Sequence, residues 1–192
     1  MIDDKLKEKV REVYSRVAEK TPEAGFPFPV GRAFAEAVGY PPALLDELPA
    51  ACVESFAGIY PLSVRADLLP GEQVLDVGCG AGLDALIAAR RVGEGRVVGV
   101  DFSEAMLARA RDGAAEAGSP ARFVLAEAGH LADLEVGFDV VMANGILNLN
   151  PDREALLAEM ARLLKPGGRF YGAEIVGTGE RTNYCGLDNW FR

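Results

Sequence analysis

Two hydrophobic rhythms divide the chain. Near its start, Leu6, Val10, Val13, Tyr14 and Val17 recur at three- and four-residue steps among Lys, Glu and Arg, the stripe of an amphipathic helix over 3–19. Thr21-Pro22 ends it, and Gly25-Phe26-Pro27-Phe28-Pro29 reads as an extended, proline-stiffened link. Residues 31–58 read as short helical pieces, interrupted by Gly39-Tyr40-Pro41-Pro42 and by Pro49. From Pro70-Gly71 onward, short β-branched runs alternate with helical patterns, the signature of βαβ units and a parallel sheet. The pattern predicts strands at 73–77, 96–101, 122–125, 138–143 and 169–175, with helices at 83–92, 103–117 and 153–164 between them. Lys165-Pro166-Gly167-Gly168 is expected to stop the last helix and turn the chain into the last strand. The fold class that follows is α/β, a doubly wound, mostly parallel sheet. Residues 1–60 form its helical cap and 61–192 the sheet domain, expected to pack as one unit.

Composition excludes several classes of function. The 192 residues are 49% apolar and 26% charged, ordinary for one globular domain. No stretch reaches the roughly 20 apolar residues of a membrane span, and the charged start Met1-Ile2-Asp3-Asp4-Lys5 is not that of a signal peptide. Twenty basic residues against 29 acidic ones leave a net charge of −9, the wrong sign for a nucleic-acid partner. Cys52, Cys79 and Cys185 form no C-x-x-C pair, so neither a metal centre nor a redox dithiol is expected, and a reduced, cytoplasmic setting fits.

The chemistry concentrates after the first two strands. Asp76-Val77-Gly78-Cys79-Gly80-Ala81-Gly82 closes a strand and opens a helix. Glycines there let a ligand approach bare backbone beside the unpaired N–H groups of a helix start. A dinucleotide fingerprint needs a third glycine where Leu83 stands, which argues against a dehydrogenase. Asp101 ends the next apolar strand, where a carboxylate can accept bonds from both hydroxyls of a ribose. Singly, the loop also reads as a tight turn and Asp101 as a helix N-cap. Together, on consecutive strands, they point to a nucleoside ligand.

These residues resemble the class I S-adenosylmethionine-dependent methyltransferases from about Leu69 to Val176. The resemblance rests on Asp76-x-Gly78-x-Gly80-x-Gly82, Asp101-Phe102-Ser103-x-x-Met106-Leu107 and Leu163-Leu164-Lys165-Pro166-Gly167-Gly168-Arg169. It implies S-adenosylmethionine as cofactor, with Gly78, Cys79, Gly80 and Gly82 around its methionine part and Asp76 under its amino group. Asp101 would take the ribose hydroxyls, Phe102 and Met106 would flank the adenine, and Glu127 with the Ala128 backbone would read the adenine edge. Asn144 would lie beside the methyl group. Val10-Arg11-Glu12-x-Tyr14, Glu54-Ser55-Phe56-Ala57-Gly58, Gly80-Ala81-Gly82-Leu83-Asp84 and Asn144-Gly145-Ile146-Leu147-Asn148 are similar to arsenite methyltransferases. That likeness implies that Tyr14 closes over the cofactor; as a core residue of its helix stripe it reads equally well.

Two departures shape the expected activity. Gly145 stands where the arsenite enzymes carry a thiol, and Cys52 and Cys185 have no local spacing motif, so a different small-molecule acceptor is expected. The family sheet adds two strands after Glu174-Ile175-Val176, whereas residues 177–192 are all that follow here. A fragment, a natural truncation, or an assembly completed by a homodimer mate or partner over the C-terminal sheet edge would each account for this. The alternative function is a non-catalytic cofactor-binding protein or subunit that needs such a partner. His130 reads as a surface or cofactor-rim residue, Glu174 as a cap or solvated acid, and no catalytic residue is assigned.

Overall fold

The computed structural model describes residues 8, 11–17, 28–93, 95–127, 131, 134–150 and 152–176. Helix α1 is seen over 11–17, and four short helices follow: α2 (Arg32–Val38), α3 (Pro42–Leu45), α4 (Ala50–Glu54) and α5 (Leu62–Arg65). Then come β1 (Val74–Val77), α6 (Leu83–Val92), β2 (Val97–Asp101), α7 (Glu104–Glu116), β3 (Arg122–Leu125) and β4 (Phe138–Asn144). A 3-10 turn (Leu147–Leu149), α8 (Arg153–Leu163) and β5 (Leu164–Ala173) complete the described chain.

All five strands are parallel, in the order β3-β2-β1-β4-β5. This is the expected Rossmann-like methyltransferase fold. The chain winds outward from β1 to β3 and then crosses back to place β4 on the other side of β1. The strand order therefore reverses between β1 and β4, and a crevice opens at their carboxyl ends.

Strand periodicity decides which residues face that crevice's helical wall. Leu75, Val77, Val98, Val100, Val141 and Ala143 pack on one face against α8, through Leu156, Met160 and Leu163. Val74, Val97, Val140 and Met142 pack on the other, against α6, α7 and the N-terminal helices. Alternation puts Asp76 and Asp101 on that second face, and register sets Asp76 opposite Gly99 and Met142.

The N-terminal helices share the second core, burying Tyr40, Leu45, Cys52, Val53 and Leu62 with α6 and α7. Arg90 and Arg91 help to fasten them. Arg90 pairs with Glu47 at 2.9 Å, while Arg91 donates to the carbonyls of Ser63, Val64 (3.2 Å) and Ala66 (2.7 Å) at the end of α5.

The last strand departs from expectation. It begins at Leu164, directly after α8, and Lys165–Gly168 lie within it as an irregular stretch. Pairing jumps from Phe138–Leu164 to Val140–Arg169, so five steps on β5 match two on β4. Pro166 has no N–H to donate and Gly167 takes φ 79°, both of which suit a bulge on an edge strand. Removing the Arg91 fastening by Arg91→Met should lower unfolding free energy by about 1–2 kcal/mol, measured by urea denaturation.

Candidate functional site

A cleft of about 670 Å³, open to solvent, lies at the carboxyl ends of β1, β2 and β4. Its floor is the loop after β1, where Gly78, Gly80 and Gly82 all have positive φ. A Cβ on Gly78 would strike Ile146 and one on Gly82 would press on Phe123, whereas one on Gly80 would meet nothing within 4 Å. Gly78 and Gly82 thus let the loop pack closely, and Gly80 leaves backbone bare to the opening. Cys79 also lines the cleft. Burial pushes its thiol pKa up, and Asp101 and Asp76 push it further, so it stays protonated.

Three carboxylates line this cleft. Asp76 is 2% exposed. The backbone N–H of Ala85, in the first turn of α6, bonds its carboxylate, yet Asp76 Oδ2 is buried without a partner. Burial raises its pKa well above the ordinary carboxylate range, and Asp84 and Asp101 add to the effect. Asp101 Oδ2 accepts from Gly80 N at 2.8 Å and Oδ1 from Ser103 N at 2.8 Å. Burial raises its pKa too, partly offset by backbone donors from Ser103, Gly80 and Phe102. The N-cap of α7 is Ser103, whose hydroxyl accepts from Met106 N, so capping is not the task of Asp101.

The third acid, Asp84, was not among the expected site residues. Its Oδ1 accepts from the Tyr40 hydroxyl at 2.6 Å, from Ser63 N at 3.0 Å and from the Ser63 hydroxyl. Its Oδ2 accepts from Asn144 Nδ2 at 2.9 Å. Asn144 lines the cleft, and its amide is engaged: Nδ2 also reaches Tyr60 O at 2.8 Å, and Oδ1 accepts from Ile59 N at 3.0 Å. It pins the 58–60 loop to the end of β4.

One end of the cleft is covered by α1. Tyr14 stacks on Phe28 with centroids 5.2 Å apart, Ser15 bonds Ser103 at 2.9 Å, and the Arg11 guanidinium lies 5.8 Å from the Phe102 ring centre. Tyr14, Phe102 and Met106 all line the cleft. Burial, with Asp101 and Glu174, raises the Tyr14 phenol pKa far enough to keep it protonated.

Glu127 sits on the loop after β3 and outside the cleft lining. Ala126 N donates to Asp101 O at 3.0 Å, so Glu127 follows immediately beside the β2 end. Ala128 and His130 lie outside the described residues. Glu174 Oε2 accepts from Asn148 N, within the 3-10 turn, at 2.8 Å. Sequence reasoning missed Asp84, Phe56, Gly58 and Ile146 as wall residues. Glu54–Gly58 and Gly80–Asp84 were visible as motifs, but only folding brings them to one wall.

The methyltransferase-domain family matches residues 74–168, from β1 into the bulge of β5. The crystal structure of an arsenic(III) S-adenosylmethionine methyltransferase from Chlamydomonas reinhardtii superposes with TM-score 0.64 and 34% identity, covering 71% of this chain and 50% of that one. Residues 74–168 belong to the class I S-adenosylmethionine-dependent methyltransferases. An arsenite methyltransferase from Halobacterium salinarum is 39% identical to this chain over 115 residues, 59% of this chain and 29% of that protein. A ubiquinone biosynthesis O-methyltransferase from Hahella chejuensis is 39% identical over 108 residues, 56% of this chain and 44% of that protein. The chain thus spans less than half the length of either curated relative.

The buried charge on Asp76 in this methyltransferase domain has a thermodynamic consequence. Its folded-state pKa is raised, so folding binds a proton there as pH falls, and the cost of the ionised group is present at neutral pH and fades through that raised pKa. Asp76→Asn should therefore melt higher than the parent at pH 7, with the gap closing on acidification toward about pH 4. Calorimetric melts across that range measure it.

Proposed function

We propose that the chain binds S-adenosylmethionine in this cleft and transfers its methyl group to a small-molecule acceptor. The observation that carries this reading is the partnerless, buried Asp76 Oδ2 at the carboxyl end of β1, a strong acceptor suited to an ammonium. The open face of Gly80 fits the same ligand. On this reading the Gly78, Cys79, Gly80 and Gly82 backbone cradles the methionine part, and Asp101 holds the ribose hydroxyls. Phe102 and Met106 flank the adenine, Glu127 and Ala128 stand at its edge, and Tyr14 covers the ligand.

The bound sulfonium supplies a methyl group for in-line displacement, so the chain's own contribution is alignment and exclusion of water. Asp76 and Asp101 orient two ends of one ligand. Asn144, held by its three bonds, keeps the 58–60 loop as a fixed wall. The two cleft thiols support an acceptor other than arsenite, because a soft metalloid is bound by thiolates. Burial raises the Cys52 thiol to about 11 and Cys79 higher than its usual value. As free, buried cysteines they also suit a reducing, cytoplasmic setting. No helix among the described residues is long and apolar enough to cross a membrane.

A second copy or partner is proposed to pair along β5. Among the described residues this strand is a sheet edge, and Phe170, Ile175 and Val176 are exposed beside it. Analytical ultracentrifugation should detect a dimer; a monomer at every concentration would count against self-pairing.

Calorimetric titration with S-adenosylhomocysteine tests the cofactor site directly. The parent should bind at micromolar strength, and Asp101→Ala should lose about 1.5–3 kcal/mol of that binding through its charged hydrogen bonds. Gly80→Val should abolish it by filling the bare face. Unchanged binding in both variants would move the pocket elsewhere.

A further inference from the structure

The cofactor reading occupies two of the three strand ends that meet at the cleft. Asp101, Phe102 and Met106 follow β2 and the glycine loop follows β1, while the end of β4 contributes only Asn144. Sheet order sets β1 between β2 and β4, so the β4 side lies across the glycine loop from the nucleoside residues. An acceptor has to meet the methyl group inside this cleft, and this is the side left to it.

Two segments build that side. Phe56, Ala57 and Gly58 come after α4, and Gly145, Ile146 and Leu149 come after β4; all six line the cleft. Gly58 lets them meet: a Cβ there would stand 2.7 Å from Asn144 Nδ2 and 2.8 Å from the Phe56 ring. Phe56 is backed by Tyr40 and Phe34, with ring centres 5.0 and 6.1 Å away, while Ala57, Ile146 and Leu149 are half-buried. The polar side chains on this side are already satisfied. Asn144 spends both atoms of its amide on Ile59, Tyr60 and Asp84. The Ser55 hydroxyl donates to Ala51 O at 2.8 Å and accepts from Arg109 Nη1 at 2.7 Å. What these side chains offer a ligand is therefore apolar surface. Asp76, Asp84 and Asp101 line the same cleft, and carboxylates repel an anion.

We propose that the acceptor is an uncharged molecule whose apolar body packs between the Phe56–Gly58 and Gly145–Leu149 segments. This rests on the cleft being an S-adenosylmethionine site and narrows the class of molecule that the site methylates. A carboxylate or phosphate on that body would lose its water and find no free side-chain donor among the described residues on this side. Selection against anions is then as much a part of the site as attraction for apolar surface.

Calorimetry on the full chain tests this with two probes that share one ring system, naphthol, which is neutral, and naphthoate, an anion. Each is titrated into protein saturated with S-adenosylhomocysteine. Naphthol should bind roughly tenfold more tightly or better, the penalty expected for an uncompensated carboxylate. Leu149→Arg places a cation on this side and should lower that preference roughly fivefold. Should that variant melt below the assay temperature, Ala57→Arg on the opposite segment replaces it, with the same expected change. Equal binding of the two probes, or no binding of naphthol, would overturn the proposal, as would a preference that the new cation leaves unmoved. Those results, obtained on protein that binds S-adenosylhomocysteine, would leave the cofactor reading standing. A folded parent that bound no S-adenosylhomocysteine would instead overturn that reading, and with it the assignment of this side to an acceptor.

Discussion

One carboxylate joins the parts of this molecule that meet at the cleft. Asp84 sits in the first turn of α6 and takes hydrogens from Tyr40 ahead of α3, Ser63 in α5 and Asn144 at the end of β4. Through it the N-terminal helices, the glycine loop and the carboxyl end of the sheet hold a common position. Asn144 extends the link to Ile59 and Tyr60, so the wall of the cleft is fastened to its floor. A buried acid with this many donors is costly to disturb, and the cleft inherits its shape from that rigidity.

The same arrangement sets a tension between stability and binding. Burying Asp76, Asp84 and Asp101 close together works against the fold, as the raised pKa values of Asp76 and Asp101 express. Sites that must hold a ligand commonly carry such unfavourable groups, and the ligand relieves them. Here the unpaired Asp76 oxygen is the clearest sign. The helical layer shields these acids from water on one side, and α1 contributes Tyr14, Arg11 and Ser15 to the covering.

The part of the cleft proposed to hold the cofactor was largely legible in the sequence. Asp76, the three glycines and Asp101 lie within the ends of two consecutive strands, so their meeting is set by a short crossover and by period-two alternation. The strands near Val74, Val97 and Arg122 follow from equally local signals, whereas the N-cap of α7 falls on Ser103 and not on Asp101, the capping candidate in the sequence. The bulge in β5 did not, because Lys165-Pro166-Gly167-Gly168 carries the composition of a turn; pairing with β4 draws it into the strand. Glu127, placed at the adenine edge by the family resemblance, lies outside the cleft lining.

By itself, then, the sequence determined the parallel α/β architecture, the glycine loop and the two acids at strand ends, all of which depend on neighbours along the chain. Tertiary structure alone decided that Asp84, Tyr40, Ser63 and Asn144 converge, that Phe56 and Gly58 form a wall, and that one oxygen of Asp76 is left without a donor. Those outcomes depend on segments distant in the chain meeting in three dimensions. A hydrogen bond between them, or its absence, is a property of their final distance and angle, which no local pattern encodes.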